Sequence, residues 1–125
     1  MNKEERKRVY DKCAGKCAYC GCDISLESMQ VDHMIPIYRG WSDESLKALK
    51  VERGNDDMSN WMPSCRECNR RKNTLSVSEF REELRKTHER MISKSANYRQ
   101  LLRYHQIEVN NLNVTFFFEK ITEQQ

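Results

Sequence analysis

Two cysteine pairs, Cys17-Ala18-Tyr19-Cys20 and Cys65-Arg66-Glu67-Cys68, constrain this chain more than any other feature. Each C-x-x-C forms a tight knuckle, and together the two supply four thiolates to a tetrahedral Zn²⁺ at Zn–S distances of about 2.3 Å. Such a zinc is structural, since four thiolates leave it no open position, and it ties an early segment to one far along the chain. The chain needs that tie. Only 38% of its 125 residues are hydrophobic, while 33% are charged against about 25% in an ordinary domain, and a small domain with a thin core is commonly held by metal or disulfides. Disorder is not expected, because the net charge is only +3 and two Trp, five Tyr and four Phe provide something to bury. Cys13 and Cys22 stand outside the pairs. Either can replace a knuckle cysteine or act as a small buried hydrophobe, and with four ligands already present the second role is expected.

The length predicts a single domain over 1–125, with a core at about 13–75 and a helical and strand extension at about 76–121. Met1 to Lys12 is charged and lacks the apolar stretch of a signal peptide, and no run approaches the roughly 18 apolar residues of a membrane helix. A cytoplasmic, reducing setting is therefore expected, where C-x-x-C pairs favour metal over structural disulfides. No membrane partner is expected.

The class expected is α+β. Asn2 to Lys12 is helix-compatible and runs into the first knuckle. Met29, Val31, His33 and Ile35 alternate with polar residues and Pro36, which predicts a strand or hairpin with a proline interrupting its ladder. Ser42 to Asp57 reads as a loop carrying one short helix and ending in the turn Gly54-Asn55-Asp56-Asp57. Ser76 followed by Glu79 predicts a capping box opening an amphipathic helix, with an interruption at Lys94 to Asn97. Val114 to Phe118 is short, β-branched and aromatic, which predicts a C-terminal strand.

Between and just after the cysteine pairs lie Asp32-His33, Asn60 and Asn69. The pattern CxYCG…DHxIP…NxxPxCxxCNxxK, from Cys17 to about Lys72, closely resembles the HNH endonucleases of prokaryotes and phages. That resemblance implies a ββα-metal core with a structural zinc on Cys17, Cys20, Cys65 and Cys68. It further implies hydrolysis of DNA to 5′-phosphate ends, in a bacterial cell or a phage-infected host. His33 suits the general base, because a neutral imidazole with an ordinary pKa near 6.5 can take a proton from water near neutral pH. The matching family His has this role. Asp32 and Asn69 offer the hard oxygen ligands that Mg²⁺ or Mn²⁺ prefers, and they resemble the family's metal pair. Asn60 matches the middle Asn of the family name, which bonds to the backbone near the base and orients it. Side chains alternate along a strand, so Asp32 and His33 need a bend or bulge to face one site. Asn73, one helical turn beyond Asn69, is an additional candidate ligand. Gly40-Trp41 departs from the paired glycines of many members.

Arg66, Arg70, Arg71 and Lys72 cluster at the second knuckle, where they would attract the phosphates of a DNA partner. A solvated helix face is the plainer reading of such a run. Trp41 and Trp61 are candidates for stacking on bases, with core packing the alternative for Trp61. His88 and His105 lie outside the motif and receive no role. The competing function is a non-catalytic, zinc-stapled module that binds DNA or a protein partner. No heptad seam declares a homodimer.

Overall fold

Eight short elements carry the described part of the chain, residues 1–123 of a computed structural model. Helix α1 (Lys3–Asp11) opens on a capping box in which Asn2 accepts from the Glu5 amide at 2.8 Å and the Glu5 carboxylate accepts from the Asn2 amide at 3.2 Å. It is followed by β1 (Gln30–His33), α2 (Asp43–Leu49), β2 (Trp61–Ser64), α3 (Arg66–Lys72), α4 (Val77–Lys94), α5 (Ala96–Arg103) and α6 (Phe117–Glu123). The result is the expected α+β architecture, a small antiparallel sheet with helices around it, consistent with the ββα core that the resemblance implies.

The chain divides into two compact units. One comprises Met1–Val77 together with the segment from Thr115 onward, and the other is Ser78–Val114. The extension expected at about 76–121 is thus split, its last part rejoining the first unit. Within the second unit, α4 is laced by Arg85 to Glu82 at 2.5 Å and to Glu89 at 2.7 Å. The Arg99 guanidinium reaches back from α5 to the Ile92 carbonyl at 2.7 Å, and His88 stands edge-on to Tyr98. Ser95 separates the two helices and caps α5 by accepting from the Tyr98 amide.

In the first unit, β1 and β2 pair antiparallel with Gln30 opposite Ser64, Val31 opposite Pro63, Asp32 opposite Met62 and His33 opposite Trp61. Pro63 costs the ladder nothing. Its carbonyl points away from β1 and accepts from the Ala18 amide at 2.9 Å, and in a strand the missing N–H lies on that same side. Arg6 on α1 donates to the carbonyls of Leu26 and Met29, each at 2.7 Å. Lys12, at the helix end, reaches the carbonyls of Met58 and Trp61. Two cations thereby fasten α1 to the segments entering both strands.

The expected C-terminal strand is not formed. The aromatic residues do pack, but onto the first knuckle: Phe116 is buried with its ring edge-on to Tyr19 at 5.3 Å, and Phe118 meets Tyr19 at 6.0 Å. The Phe117 and Phe118 amides donate to the carbonyls of Tyr19 and Ala18 at 3.1 and 2.8 Å. The Glu119 carboxylate accepts from the Phe116 amide at 2.9 Å, and this contact starts α6. Aromatic and β-branched residues favour a half-buried surface rather than a strand as such, and here the surface on offer is Tyr19.

Candidate active site and metal centre

The sulfurs of Cys17, Cys20, Cys65 and Cys68 lie within 4.8 Å of one another, and those of Cys20 and Cys65 are 3.8 Å apart. Tetrahedral Zn–S bonds of about 2.3 Å put sulfurs roughly 3.8 Å apart, so the four thiols fit a zinc ion. Backbone amides face two of the four sulfurs, while burial pushes the Cys65 thiol up and the neighbouring Cys17 thiol, together with burial, pushes the Cys68 thiol up. The Tyr19 amide points at the Cys17 sulfur and the Cys68 amide at the Cys65 sulfur, both at 3.4 Å. The hydrogen bond from Cys68, with help from backbone amides, holds the Cys17 thiol well below its ordinary range. Cys13 lies outside this set as a buried small hydrophobe, its thiol pushed up to about 11 by burial. Cys22 is exposed at the margin of the cluster, beside the thiols of Cys20 and Cys65.

The cysteine cluster sits where β1 meets α3. Cys65 caps α3 by accepting from the Cys68 amide, and the helix runs from the second knuckle along β1. At its last turn Lys72, with no solvent exposure, places its ammonium 3.0 Å from the Asp32 carboxylate and 2.9 Å from the His33 carbonyl. Asp32 is only 4% exposed, and its second neighbour is the Tyr19 hydroxyl, which donates a short hydrogen bond. Burial pushes the Asp32 carboxyl up, and Lys72 and Tyr19 pull it part of the way back. The expectation that Lys72 faces phosphates with Arg70 and Arg71 is therefore corrected. Arg66, Arg70 and Arg71 are exposed, whereas Lys72 is the counter-ion of a buried carboxylate, since a buried charge must be paired.

His33 points elsewhere. The β1–β2 register runs without a bulge, so strand alternation stands: Asp32 turns to Tyr19 and Lys72, while the His33 Nε2 lies 2.7 Å from Asp56 Oδ1. The chain bends only after His33, at Met34 and Ile35.

Asn60 holds that bend. Its amide oxygen accepts from the Ile35 amide at 2.8 Å, and its Nδ2 donates to the carbonyls of Ile35 and Asn55, each at 2.8 Å. It is buried at the start of β2, and its own carbonyl accepts from the Met34 amide. Gly54 permits the approach, because a Cβ there would come 2.0 Å from the Ile35 carbonyl oxygen. Asn69, half-buried, precedes Lys72 by three residues and so shares the face of α3 that meets β1. Asn73 sits past the helix end at positive φ and is exposed.

Residues 17–75 match the family model of the HNH endonucleases. That match takes in both cysteine pairs together with Asp32, His33, Asn60 and Asn69. Among solved structures, the Type II-C Cas9 enzyme from Actinomyces naeslundii is similar to the chain at 22% identity with a TM-score of 0.49, over 63% of this chain. The match spans 8% of that Cas9 chain. Among curated proteins, none matches.

Every residue with a sequence-assigned role in the HNH domain lies in the first unit. Tyr19, Gly54 and Asp56 contribute to the site without having been assigned any role by the sequence. Tyr19 is hidden inside the first knuckle, where the spacing of its cysteines dominates. Gly54 and Asp56 read only as turn residues, and an acidic residue a few positions before the family Asn is the one signal available. Trp61 is half-buried and donates from Nε1 to Asp56 at 3.0 Å, which places it in the scaffold of the site. Trp41 is exposed and lies beside Tyr38 on a loop whose carbonyls bind Arg53. Among the described residues, no helix is long and apolar enough to cross a membrane.

Proposed function

We propose that the HNH domain is a metal-dependent DNA endonuclease in which His33 is the general base. The observation that carries this reading is the placement of His33: it ends β1 with a partly exposed imidazole, its following backbone held by Asn60 and its carbonyl by Lys72. In the reaction, the His33 imidazole takes a proton from a water molecule as the water oxygen bonds to phosphorus. The P–O3′ bond breaks, leaving a 5′-phosphate and a 3′-oxygen that gains a proton. Asn60 keeps the base oriented, and Arg66, Arg70 and Arg71 hold phosphates on the exposed side of α3.

Asp32 and Asn69 are the residues that would hold Mg²⁺ or Mn²⁺. Their hard oxygens suit such an ion, and Asp32 Oδ1, with Lys72 at 3.3 Å as its hydrogen-bond partner among the described residues, keeps a lone pair for it, although Asp32 faces Lys72 and Tyr19 while His33 faces Asp56 on the other side of β1. Bound there, the ion supplies charge stabilisation at the phosphate and the departing oxygen. The six free cysteines suit a reducing compartment, so the proposal places the reaction in the cytoplasm of a bacterial cell or a phage-infected host.

One observation favours the second reading, a zinc-stapled module that binds DNA or a protein without cutting. The Asp32 carboxylate already has an ammonium and a hydroxyl as partners. Nicking of supercoiled plasmid separates the two. The nuclease reading expects cleavage with Mg²⁺ or Mn²⁺, and expects His33→Ala to lose about 10²-fold or more of it while still binding DNA. Binding without cleavage under either metal, or equal cleavage by wild type and His33→Ala, overturns it.

A further inference from the structure

We propose that Asp56 is the positioning residue of the base: its carboxylate holds the His33 imidazole by Nε2, which leaves Nδ1 as the nitrogen offered to the attacking water. This inference rests on the nuclease reading above.

The argument begins with what each atom can donate. An ionised carboxylate only accepts hydrogen bonds, so the 2.7 Å contact between His33 Nε2 and Asp56 Oδ1 puts the ring hydrogen of a neutral imidazole on Nε2. A neutral ring carries one such hydrogen, and its other nitrogen, Nδ1, then has the free lone pair that a base requires. Without this bond the ring can exchange tautomers and turn about its side-chain torsions. A base in the wrong tautomer has no lone pair directed at the water.

Asp56 is itself held on both sides. The same Oδ1 accepts from Trp61 Nε1 at 3.0 Å, and Trp61 is the residue opposite His33 in the β1–β2 register. The residue before Asp56 is tied in as well: the Asn55 carbonyl accepts from Asn60 Nδ2, the same nitrogen that bonds the Ile35 carbonyl two residues beyond His33. One buried amide therefore fixes the backbone next to the base and the backbone next to its partner, and Gly54 allows the two to approach. The adjacent acid has a different task. Asp57 Oδ1 accepts from the Ser59 amide at 3.0 Å and from the Ser59 hydroxyl, which closes the turn. Of the two neighbouring carboxylates, only Asp56 meets His33. The Asp56 side chain is 59% exposed, so its contribution is orientation rather than a buried charge.

The test uses the full zinc-loaded chain with Asp56→Ala, Asp56→Glu and His33→Ala. On plasmid, Asp56→Ala is expected to lower kcat by about 10- to 100-fold, a part of the 10²–10⁴-fold that a base supplies. KM, DNA affinity, zinc content and melting temperature should stay at wild-type values. Asp56→Glu, which keeps the acceptor, is expected to recover most of the loss. The second readout needs no activity. Nitrogen chemical shifts of ¹⁵N-histidine-labelled protein, recorded where the ring is neutral, should show the Nε2–H tautomer at His33 in wild type and a tautomer mixture in Asp56→Ala.

An unchanged tautomer in Asp56→Ala, or unchanged kcat in a chain that His33→Ala inactivates, overturns the positioning role and leaves the nuclease reading standing. Full activity of His33→Ala overturns the nuclease reading instead, whatever the tautomer. Should Asp56→Ala melt early, Asp56→Glu and the wild-type tautomer decide: a wild-type Nδ1–H ring refutes the proposal.

Discussion

Lys72 shows how one residue can carry a different duty from the neighbours it resembles. Arg70, Arg71 and Lys72 are adjacent cations at the end of α3, yet helical geometry sends only Lys72 inward, to the Asp32 carboxylate and the His33 carbonyl. A run of like charges says nothing about which member faces the core, because that depends on where the helix is seated against β1. Removing one partner of a buried pair leaves the other charge uncompensated, so Lys72→Met is expected to lose about 3–5 kcal/mol of stability. The double variant Asp32→Asn, Lys72→Met should recover a large part of that loss. Urea denaturation of the zinc-loaded proteins checks both, and a loss below about 1 kcal/mol for the single variant would show that the pair contributes little. The four cysteines were legible from their spacing, while Asp32, His33 and Asn60 were singled out by the resemblance to HNH endonucleases. Asp56 was not, since it needs the folded loop to bring it to His33.

Among the elements, the knuckles follow from cysteine spacing and the helix expected after Ser76 forms as α4, while the last aromatic segment does not form its expected strand. Val114 to Phe118 has strand propensity, but a strand needs an edge to pair with, and the edge of β2 gives its Pro63 carbonyl to Ala18. The rings instead back Tyr19, and α6 follows. The short helix in Ser42 to Asp57 was legible, and it forms as α2 with Ser42 as its cap. The cysteine knuckles bear the energetic consequence. Four thiols brought together with amides aimed at two of their sulfurs leave repulsive, poorly solvated groups when the metal goes. Structural zinc in small fingers is worth on the order of 10 kcal/mol or more. Chelation is therefore expected to unfold the first unit, with loss of circular dichroism and of the thermal transition. One equivalent of zinc should restore both, and metal analysis of natively purified protein should find that equivalent. An unchanged melt in excess chelator would contradict the staple.

At the scale of the whole molecule, the 22 basic and 19 acidic side chains nearly balance, so DNA affinity must come from local clustering rather than net charge. Under the proposed function, the exposed Arg66, Arg70 and Arg71 would supply it on one short helix. Neutralising any one is expected to weaken DNA binding to a similar degree for all sequences and to lower the slope of log K against log salt by about 1. A loss confined to one sequence would instead mark that arginine as a base reader. The division of the chain was only partly legible, because a break between helices does not reveal which later segment returns to the first unit. That return governs the order of events during synthesis. A nascent chain that has passed Leu75 already holds every residue of the HNH match, but the rings that back Tyr19 emerge only after Ser78–Val114 has been made. At about 5–20 residues per second that is a delay of seconds. Tyr19 is also the hydroxyl partner of Asp32, so the support behind β1 is the last part to arrive, and a chain interrupted before Thr115 carries Asp32 and His33 without it.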